Sequence, residues 1–433
     1  MTTSPRFTTL DDWLAWQQPL QIKPGLDRVH EVARRLDLLN PACPVVIVGG
    51  TNGKGSTVAM LEAVLRAAGL AVGCYTSPHI THYCERIRID GEPVSETAVC
   101  DSFARIDQAR DDLTLTYFEF GTLAALDLFT RADVDIQVLE VGLGGRLDAV
   151  NIIDADVSLV TTIGLDHIDW LGDTRDKIAR EKAGIYRRGR PAICADRDIP
   201  PALLATVEEI GAIPRRLGVE FNFEAGAGRW EFWSDRVRIE SIPMPALPGT
   251  FQLRNASAVI EAVTWLRDRC PIPDSAICAG IAAARLNGRF ERHALGAEWV
   301  LDVAHNPQAA EALADALAGA PVTGRTFIIL GMMDDKDCSS VMQCLDGAAT
   351  SWHLATLPPP RGTTAARLKA ARPAARGARS VFTYDDVAAA CRAVHAQAVP
   401  GDRVVITGSF VTVDAATRWL QEHIEVAGDG RAA

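Results

Sequence analysis

Short apolar runs alternate with helical patterns along most of the chain. Val45-Val46-Ile47-Val48 passes through the glycine turn Gly49-Gly50-Thr51-Asn52-Gly53-Lys54-Gly55-Ser56-Thr57 into a helical segment. A continuous apolar run with no polar face predicts a strand buried on both sides in a parallel sheet. Ahead of it, Leu10, Trp13 and Leu14 recur at helical spacing, Pro24-Gly25 breaks the pattern, and Val29, Val32, Leu36 and Leu38 predict a second helix. After it, strands are expected over 70–76, 86–90, 136–141, 157–162 and 192–195, with helices over 94–107, 117–128, 173–185 and 201–210. A hairpin across 230–239 and helices over 249–267 and 275–285 follow. The polar stretch Asn287-Gly288-Arg289-Phe290-Glu291-Arg292 predicts the junction between domains. Beyond it, strands over 299–303, 326–330, 352–355 and 403–407 alternate with helices over 307–319, 337–345, 364–372, 385–398 and 411–423, and 424–433 reads as a disordered polar tail.

With 433 residues, 48% of them hydrophobic, the chain is long enough for two or three packed domains. A net charge of −11 gives no general attraction to nucleic acid or to anionic membranes. The first 18 residues lack the apolar core of a signal peptide and no later run is long enough to span a bilayer, so a soluble cytoplasmic protein is expected. Ten cysteines without a C-x-x-C pair suit reduced thiols better than disulfides or a zinc site.

The chemistry gathers at strand ends. In the glycine turn the backbone can curl so that N–H groups face a phosphate, the following helix adds its positive end, and Lys54 supplies a mobile cation. The usual G-x-x-x-x-G-K-[ST] spacing is not met, since Val48 stands where its first glycine would be and Gly55 separates Lys54 from Ser56. The turn still reads as a nucleotide site, with Ser56 or Thr57 offering a hydroxyl to magnesium. Ser77-Pro78-His79 ends one strand, Glu140 ends another, and Asp166-His167 follows a third. A carboxylate at the exit of a central parallel strand sits where open α/β sheets bind ligands and suits magnesium. Gly142-Leu143-Gly144-Gly145-Arg146-Leu147 fails the dinucleotide pattern at Leu147. Lys182, beside Glu181, reads as an ordinary surface pair. Asp302 and His305 end a strand of the second half. The fold class expected is α/β: a P-loop ATPase-type N-terminal domain over 1–288 with a central, mostly parallel sheet, and a smaller Rossmann-like α/β domain over 289–433. Two domains imply a cleft, and phosphoryl transfer there suits a kinase and an ATP-dependent ligase equally.

Seven motifs together go further. Gly50-Thr51-Asn52-Gly53-Lys54-Gly55-Ser56, Thr76-Ser77-Pro78-His79, Leu139 to Ala149, Leu165-Asp166-His167, Arg180 to Ile185, Gly288-Arg289-Phe290 and Asp302 to Pro307 occur in one order. From about Leu10 to about Leu420 the chain resembles the folylpolyglutamate synthases of the Mur ligase superfamily, and among them the bifunctional dihydrofolate synthase/folylpolyglutamate synthases of bacteria. That resemblance implies an ATP-dependent amide ligase. It would join L-glutamate to dihydropteroate and extend reduced folates by further glutamates, through an acyl phosphate made at the expense of the ATP γ-phosphate.

The resemblance also implies roles. Thr51, Asn52, Gly53, Lys54, Gly55 and Ser56 cradle ATP. Ser77, Glu140 and His167 hold magnesium directly or through water, and Lys182 is carbamoylated, turning a cation into an anion beside the metal. Lys54, Lys182 and His167 are the implied catalytic set. Asn255, Arg289, Asp302 and His305 contact ATP from the C-terminal side. Gln18, Pro19, Leu20 and Gln21, with Gly25 to Val29, Thr116, Tyr117, Phe118, Glu119, Leu147, Asp148 and Ala149, resemble the pterin-holding parts, where an aromatic pair suits a flat ring. Val150 stands where the family has threonine. ATP and Mg2+, with a monovalent cation as a further candidate, complete the set, acting in a monomer on small molecules only. Chain extension alone, a cell-wall amino-acid ligase and a non-catalytic nucleotide-binding protein are the competing readings.

Overall fold

The computed structural model describes residues 6–18, 24–372 and 379–429, the last stretch with side chains through residue 424. Among them the backbone forms two compact units. The first gathers the residues up to His79 with Tyr83–Ala246 and Gln252–Arg285; the second gathers Ile80–His82, Leu247–Phe251 and the residues from Leu286 onward.

The first unit is built on β1 (Val45–Gly49), β2 (Val72–Tyr75), β3 (Ile87–Ile89), β4 (Glu92–Pro93), β5 (Ile136–Glu140), β6 (Val157–Val160), β7 (Pro191–Cys194) and β8 (Ile213–Arg216). Their order across one sheet is β4-β3-β2-β5-β1-β6-β7-β8. From β2 to β8 all neighbours are parallel, and β3 is antiparallel to both β2 and β4. β1 is buried along its whole length between β5 and β6, which is why it reads as an unbroken apolar run. Its register sets Val48 beside Glu140, so the glycine turn and the Glu140 carboxylate leave the sheet at the same edge. Helices Leu10–Gln17 and Asp27–Arg35 pack on helices Glu96–Arg110 and Tyr117–Arg131, with Trp13 and Phe103 ring centres 5.8 Å apart.

A three-stranded antiparallel sheet follows, made of β9 (Phe221–Ala225), β10 (Arg229–Ser234) and β11 (Arg238–Pro243). The sequence pattern predicts only its last two strands. β8 and β9 are interrupted by Arg215, Arg216 and Glu224, which hide the apolar alternation. Arg215 is nonetheless buried, because Glu261 accepts its Nε–H at 2.6 Å.

The second unit contains β12 (Glu291–Leu295), β13 (Ala297–Leu301), β14 (Thr326–Leu330), β15 (Ser351–Ala355), β16 (Ser380–Tyr384) and β17 (Arg403–Thr407), in the order β12-β13-β17-β14-β15-β16. All neighbours are parallel except β12, which is antiparallel to β13. The two units together give the expected α/β class, a large mostly parallel sheet and a second sheet domain. Three local expectations are corrected. Glu291 and Arg292, placed in a junction, begin β12. β16 is an edge strand with exposed side chains and so lacks an apolar run. The tail expected to be disordered from residue 424 is helical as far as Asp429, because Ile424 still packs on the core beside Trp419 and Leu420; 430–433 lie outside the described residues.

One buried histidine makes the second unit sensitive to acid. His353 on β15 is fully buried, with Nδ1 2.9 Å from the Tyr384 hydroxyl and Nε2 3.1 Å from the Ser351 hydroxyl, and it stacks on Phe382. Desolvation lowers its pKa from 6.5 to about 4. The unfolded chain therefore takes up this proton as pH falls through 6.5, while the folded chain stays neutral until about 4. Stability from this site is present at neutral pH and lost on acidification, by about 2 kcal/mol between pH 7 and pH 5. Urea unfolding followed at both pH values should show that loss in the native chain and a flatter dependence in His353→Gln.

Candidate active site

The glycine turn is shaped by two left-handed residues. Gly50 has φ +139° and a Cβ there would meet Thr161 Oγ1 at 1.8 Å; Gly53 has φ +91° and a Cβ would meet Asn255 Oδ1 at 2.9 Å. Only glycine fits either position. The turn is pinned to β6 and its exit: Thr51 N–H donates to the Thr162 carbonyl at 2.7 Å, and Thr161 Oγ1 donates to the Asn52 carbonyl at 2.6 Å. Gly53 then opens the helix Lys54–Ala67 without a capping side chain. The first-turn N–H groups at Lys54, Gly55 and Ser56 therefore have no acceptor within the helix, and the positive helix end faces the turn. Lys54 Nζ folds over it, donating to the Gly50 and Thr51 carbonyls at 3.0 and 3.2 Å.

The expectation that Asn255 stands on the C-terminal side is corrected: it belongs to the first unit and to this same cluster, because its helix packs its amide against Gly53. Its Nδ2 donates to Gln252 Oε1 at 2.9 Å, and Gln252 Nε2 donates to the buried Ser56 hydroxyl at 3.3 Å. Gln252 was not among the expected site residues. It sits three residues before Asn255 on the helix Gln252–Leu266, so the same-face spacing was the available signal.

Beside the turn, Ser77 N–H donates to Glu140 Oε2 at 3.3 Å, joining the ends of β2 and β5. The same loop is held by Arg86, whose Nε donates to His79 Nδ1 at 2.8 Å and whose guanidinium lies 5.3 Å from the Tyr117 ring centre. The surface-pair reading of Lys182 is corrected: Glu181 pairs instead with Arg146 at 2.9 Å, while Lys182 turns inward and is 4% exposed. A helix face, which local spacing does not specify, decides this. Desolvation first, then repulsion from Lys54, lower the Lys182 pKa to about 7, opposed by Asp166 and Asp148. Burial also pushes Asp148 up to about 7, although its carboxylate accepts the Leu143 N–H at 2.8 Å and the Val150 N–H at 3.1 Å. The fully buried Val150, lacking the family's hydroxyl, thus contributes its backbone. His167 begins the short helix Ile168–Leu171 with φ +51°, its Nε2 4.0 Å from Asp166 Oδ2. Asp166, named at the strand end without a role of its own, accepts the His167 N–H at 2.9 Å and attracts the Lys182 ammonium electrostatically.

These groups fit a nucleotide and a hard divalent cation. Ser56, Ser77 and Glu140 offer oxygen ligands, and the buried Thr57 Oγ1 has no hydrogen-bond partner among the described residues. No group of three or more His, Cys, Asp and Glu side chains arranged for a metal ion occurs among those residues. A bound ion would therefore draw on hydroxyls and phosphate oxygens as well as on Glu140.

Of the pterin candidates, Thr116 and Glu119 form a capping box, with Thr116 N–H donating to Glu119 Oε2 at 2.7 Å, and Glu119 also accepts Arg28 Nη2 at 3.0 Å. Tyr117 and Phe118 are half-buried, Leu147 is exposed, and Ala149 is buried. Gln18 is an exposed residue ending the helix Leu10–Gln17, while Pro19, Leu20 and Gln21 lie outside the described residues.

In the second unit Asp302 accepts the Phe290 N–H and the Ala304 N–H, each at 2.9 Å, and burial raises its pKa. Arg289 lies 5.6 Å from the Phe410 ring centre, and the His305 ring is 6.3 Å from the same ring. Arg289, Asp302 and His305 thus form one cluster at the carboxyl end of β13. A cavity of about 740 Å³ in this unit lies at the opposite strand ends, beside Arg292, Glu298 and Arg403, and holds none of the expected residues.

The chain matches known proteins along nearly its whole length. The Mur ligase middle domain matches residues 48–263, and the Mur ligase glutamate ligase domain matches 288–410. A dihydrofolate synthase/folylpolyglutamate synthase of Escherichia coli (strain K12) is 43% identical over 407 residues, covering 93% of this chain and 94% of the relative. That of Haemophilus influenzae is 38% identical over 437 residues, covering 95% and 96%. Among solved structures, E. coli FolC in complex with DHPP and ADP superposes with a TM-score of 0.90 at 41% identity over 100% of both chains. A bifunctional folylpolyglutamate synthase/dihydrofolate synthase with Mn, AMPPNP and L-glutamate bound gives 0.89 at 41%, covering 97% of this chain and 100% of that one.

Proposed function

The chain belongs to the dihydrofolate synthase/folylpolyglutamate synthase family of Mur ligases, and from that premise we propose that it joins L-glutamate to dihydropteroate and adds further glutamates to reduced folates. ATP drives both. The substrate carboxylate attacks the γ-phosphorus, ADP leaves, and the glutamate amine then displaces phosphate from the acyl phosphate as it gives up a proton. The observation that carries this reading is one edge of a parallel sheet bearing the Lys54 loop, the Ser77–Glu140 contact and a buried Lys182 with a lowered pKa.

The loop amides and Lys54 would stabilise charge on the transferred phosphoryl group. Ser56 or Thr57, Ser77, Glu140 and His167 would hold the divalent ion, which supplies further charge neutralisation when bound. Lys182 is proposed as a carbamate. A lysine pKa of about 7 leaves much of its amine neutral and nucleophilic toward CO2, and the product returns a negative charge to a site already holding Lys54. Arg289, Asp302, His305 and Asn255 are proposed nucleotide contacts. Half-buried Tyr117 and Phe118, exposed Leu147 and the Asp148 carboxyl are proposed to line the pterin site, the rings against its faces and the carboxyl at its polar edge. A monomeric cytoplasmic enzyme acting on small molecules is proposed; the charge of −11 gives no general attraction to nucleic acid, and no helix among the described residues is long and apolar enough to cross a membrane.

The test is ADP and phosphate release with magnesium-ATP and L-glutamate, comparing dihydropteroate, tetrahydrofolate and no pterin. Turnover with both pterins and none without is expected. Activity with tetrahydrofolate alone would reduce the function to chain extension, and activity with neither would overturn the reading.

A further inference from the structure

Arg88 has no part in the chemistry above, yet its guanidinium spans two pieces of the site. It is only 15% exposed. Nη2 and Nε donate to Glu62 Oε2 at 2.8 and 3.2 Å, while Nη1 donates to Thr76 Oγ1 at 3.1 Å and to the Glu85 carbonyl at 3.2 Å. Glu62 lies on the helix Lys54–Ala67, which starts at the nucleotide turn. Thr76 immediately precedes Ser77, whose N–H meets Glu140. Thr76 is fixed a second time by its own N–H, which donates to the Arg86 carbonyl at 2.8 Å.

We infer that Arg88 is a positioning residue that ties the nucleotide-turn helix to the Thr76-Ser77 loop and so sets Ser77 against Glu140 for the divalent ion. The inference rests on the metal role proposed for that pair. Guanidinium geometry suits the task, because a rigid planar fork can address a carboxylate on one side and a hydroxyl and a carbonyl on the other, whereas an ammonium on a flexible stem cannot hold all three directions. A buried ion pair adds little net stability over apolar packing of the whole site, but removing Arg88 alone leaves the buried Glu62 carboxylate unpaired and weakens the fold, so a variant that keeps the pair is needed beside it. Loss of a group that orients a metal ligand typically costs about 10–100-fold in metal affinity or activity.

The test uses Mn2+ as a paramagnetic stand-in, its binding followed by electron paramagnetic resonance with a non-hydrolysable ATP analogue present, in wild type, Glu140→Gln, Arg88→Met, Arg88→Lys and Thr76→Val. Arg88→Met is expected to weaken Mn2+ binding by about tenfold or more, with partial recovery in Arg88→Lys. Thr76→Val keeps the side-chain shape and removes only the hydroxyl contact, so it carries the test if Arg88→Met fails to fold. It should weaken Mn2+ binding several-fold, while metal-free nucleotide binding and melting temperature stay near wild type. Mn2+ affinity unchanged in folded Arg88→Met, or in Thr76→Val if the former does not fold, alongside clear loss in Glu140→Gln, would overturn the positioning role. Wild-type protein that bound no Mn2+ beside the nucleotide would overturn the metal-site reading itself, and this inference with it.

Discussion

Lys54→Ala is expected to lower ATP-dependent turnover by about three orders of magnitude or more, with the fold retained. The side chain makes two hydrogen bonds, both to carbonyls of its own turn, so its removal costs the fold little. The turn itself is held independently by Thr161 and Thr162. What is lost is a mobile cation over the helix end where phosphate charge would accumulate. A second effect compounds the first: after burial, repulsion from Lys54 helps hold the Lys182 pKa down, so its removal makes the Lys182 amine more basic and less available to CO2. Turnover by pyruvate kinase-coupled ADP assay and carbamate content by 13C NMR after 13C-bicarbonate labelling should fall together. Near-native turnover in a folded variant would remove Lys54 from the phosphoryl-transfer role.

Lys182→Ala should cost a comparable factor, about a thousandfold in turnover, while nucleotide affinity changes by no more than about threefold, because the proposed carbamate organises the reacting centre more than it holds ATP. Millimolar acetate or formate, occupying the space with a small carboxylate, is expected to restore part of the rate; ammonium salts are not. The pH behaviour has a definite sign. With the amine pKa lowered from 10.5 to about 7, the neutral fraction rises from about one tenth at pH 6 to about nine tenths at pH 8. CO2-stripped protein reactivated with bicarbonate at fixed dissolved CO2 should therefore recover poorly at pH 6 and well at pH 8. Equal recovery at both, with no 13C carbamate signal, would leave Lys182 as a buried amine with another role.

Much of the organisation was legible in local pattern. β1 with its glycine turn, Glu140 at a strand exit, the helix carrying Asn255 and the strand ending at Asp302 are all visible because strand and helix periodicity and the steric freedom of glycine act over a few neighbouring residues. The same locality explains what was misread. Arg215 in β8 and the exposed edge strand β16 break apolar alternation, and only packing against distant elements makes them strands.

The chemical state of the site was decided by tertiary structure alone. Lys182 looks like any surface lysine beside a glutamate until the fold buries it near Lys54, Asp166 and Asp148, groups that come from separate segments of the chain. The Ser77–Glu140 contact joins residues 63 apart, and the Arg88–Glu62 pair residues 26 apart. Sequence by itself determined which groups stand at the strand ends, since strand endings are local. Desolvation and charge–charge coupling depend on what the folded chain brings within a few ångströms, and that proximity exists only once the sheet has closed its long-range pairings.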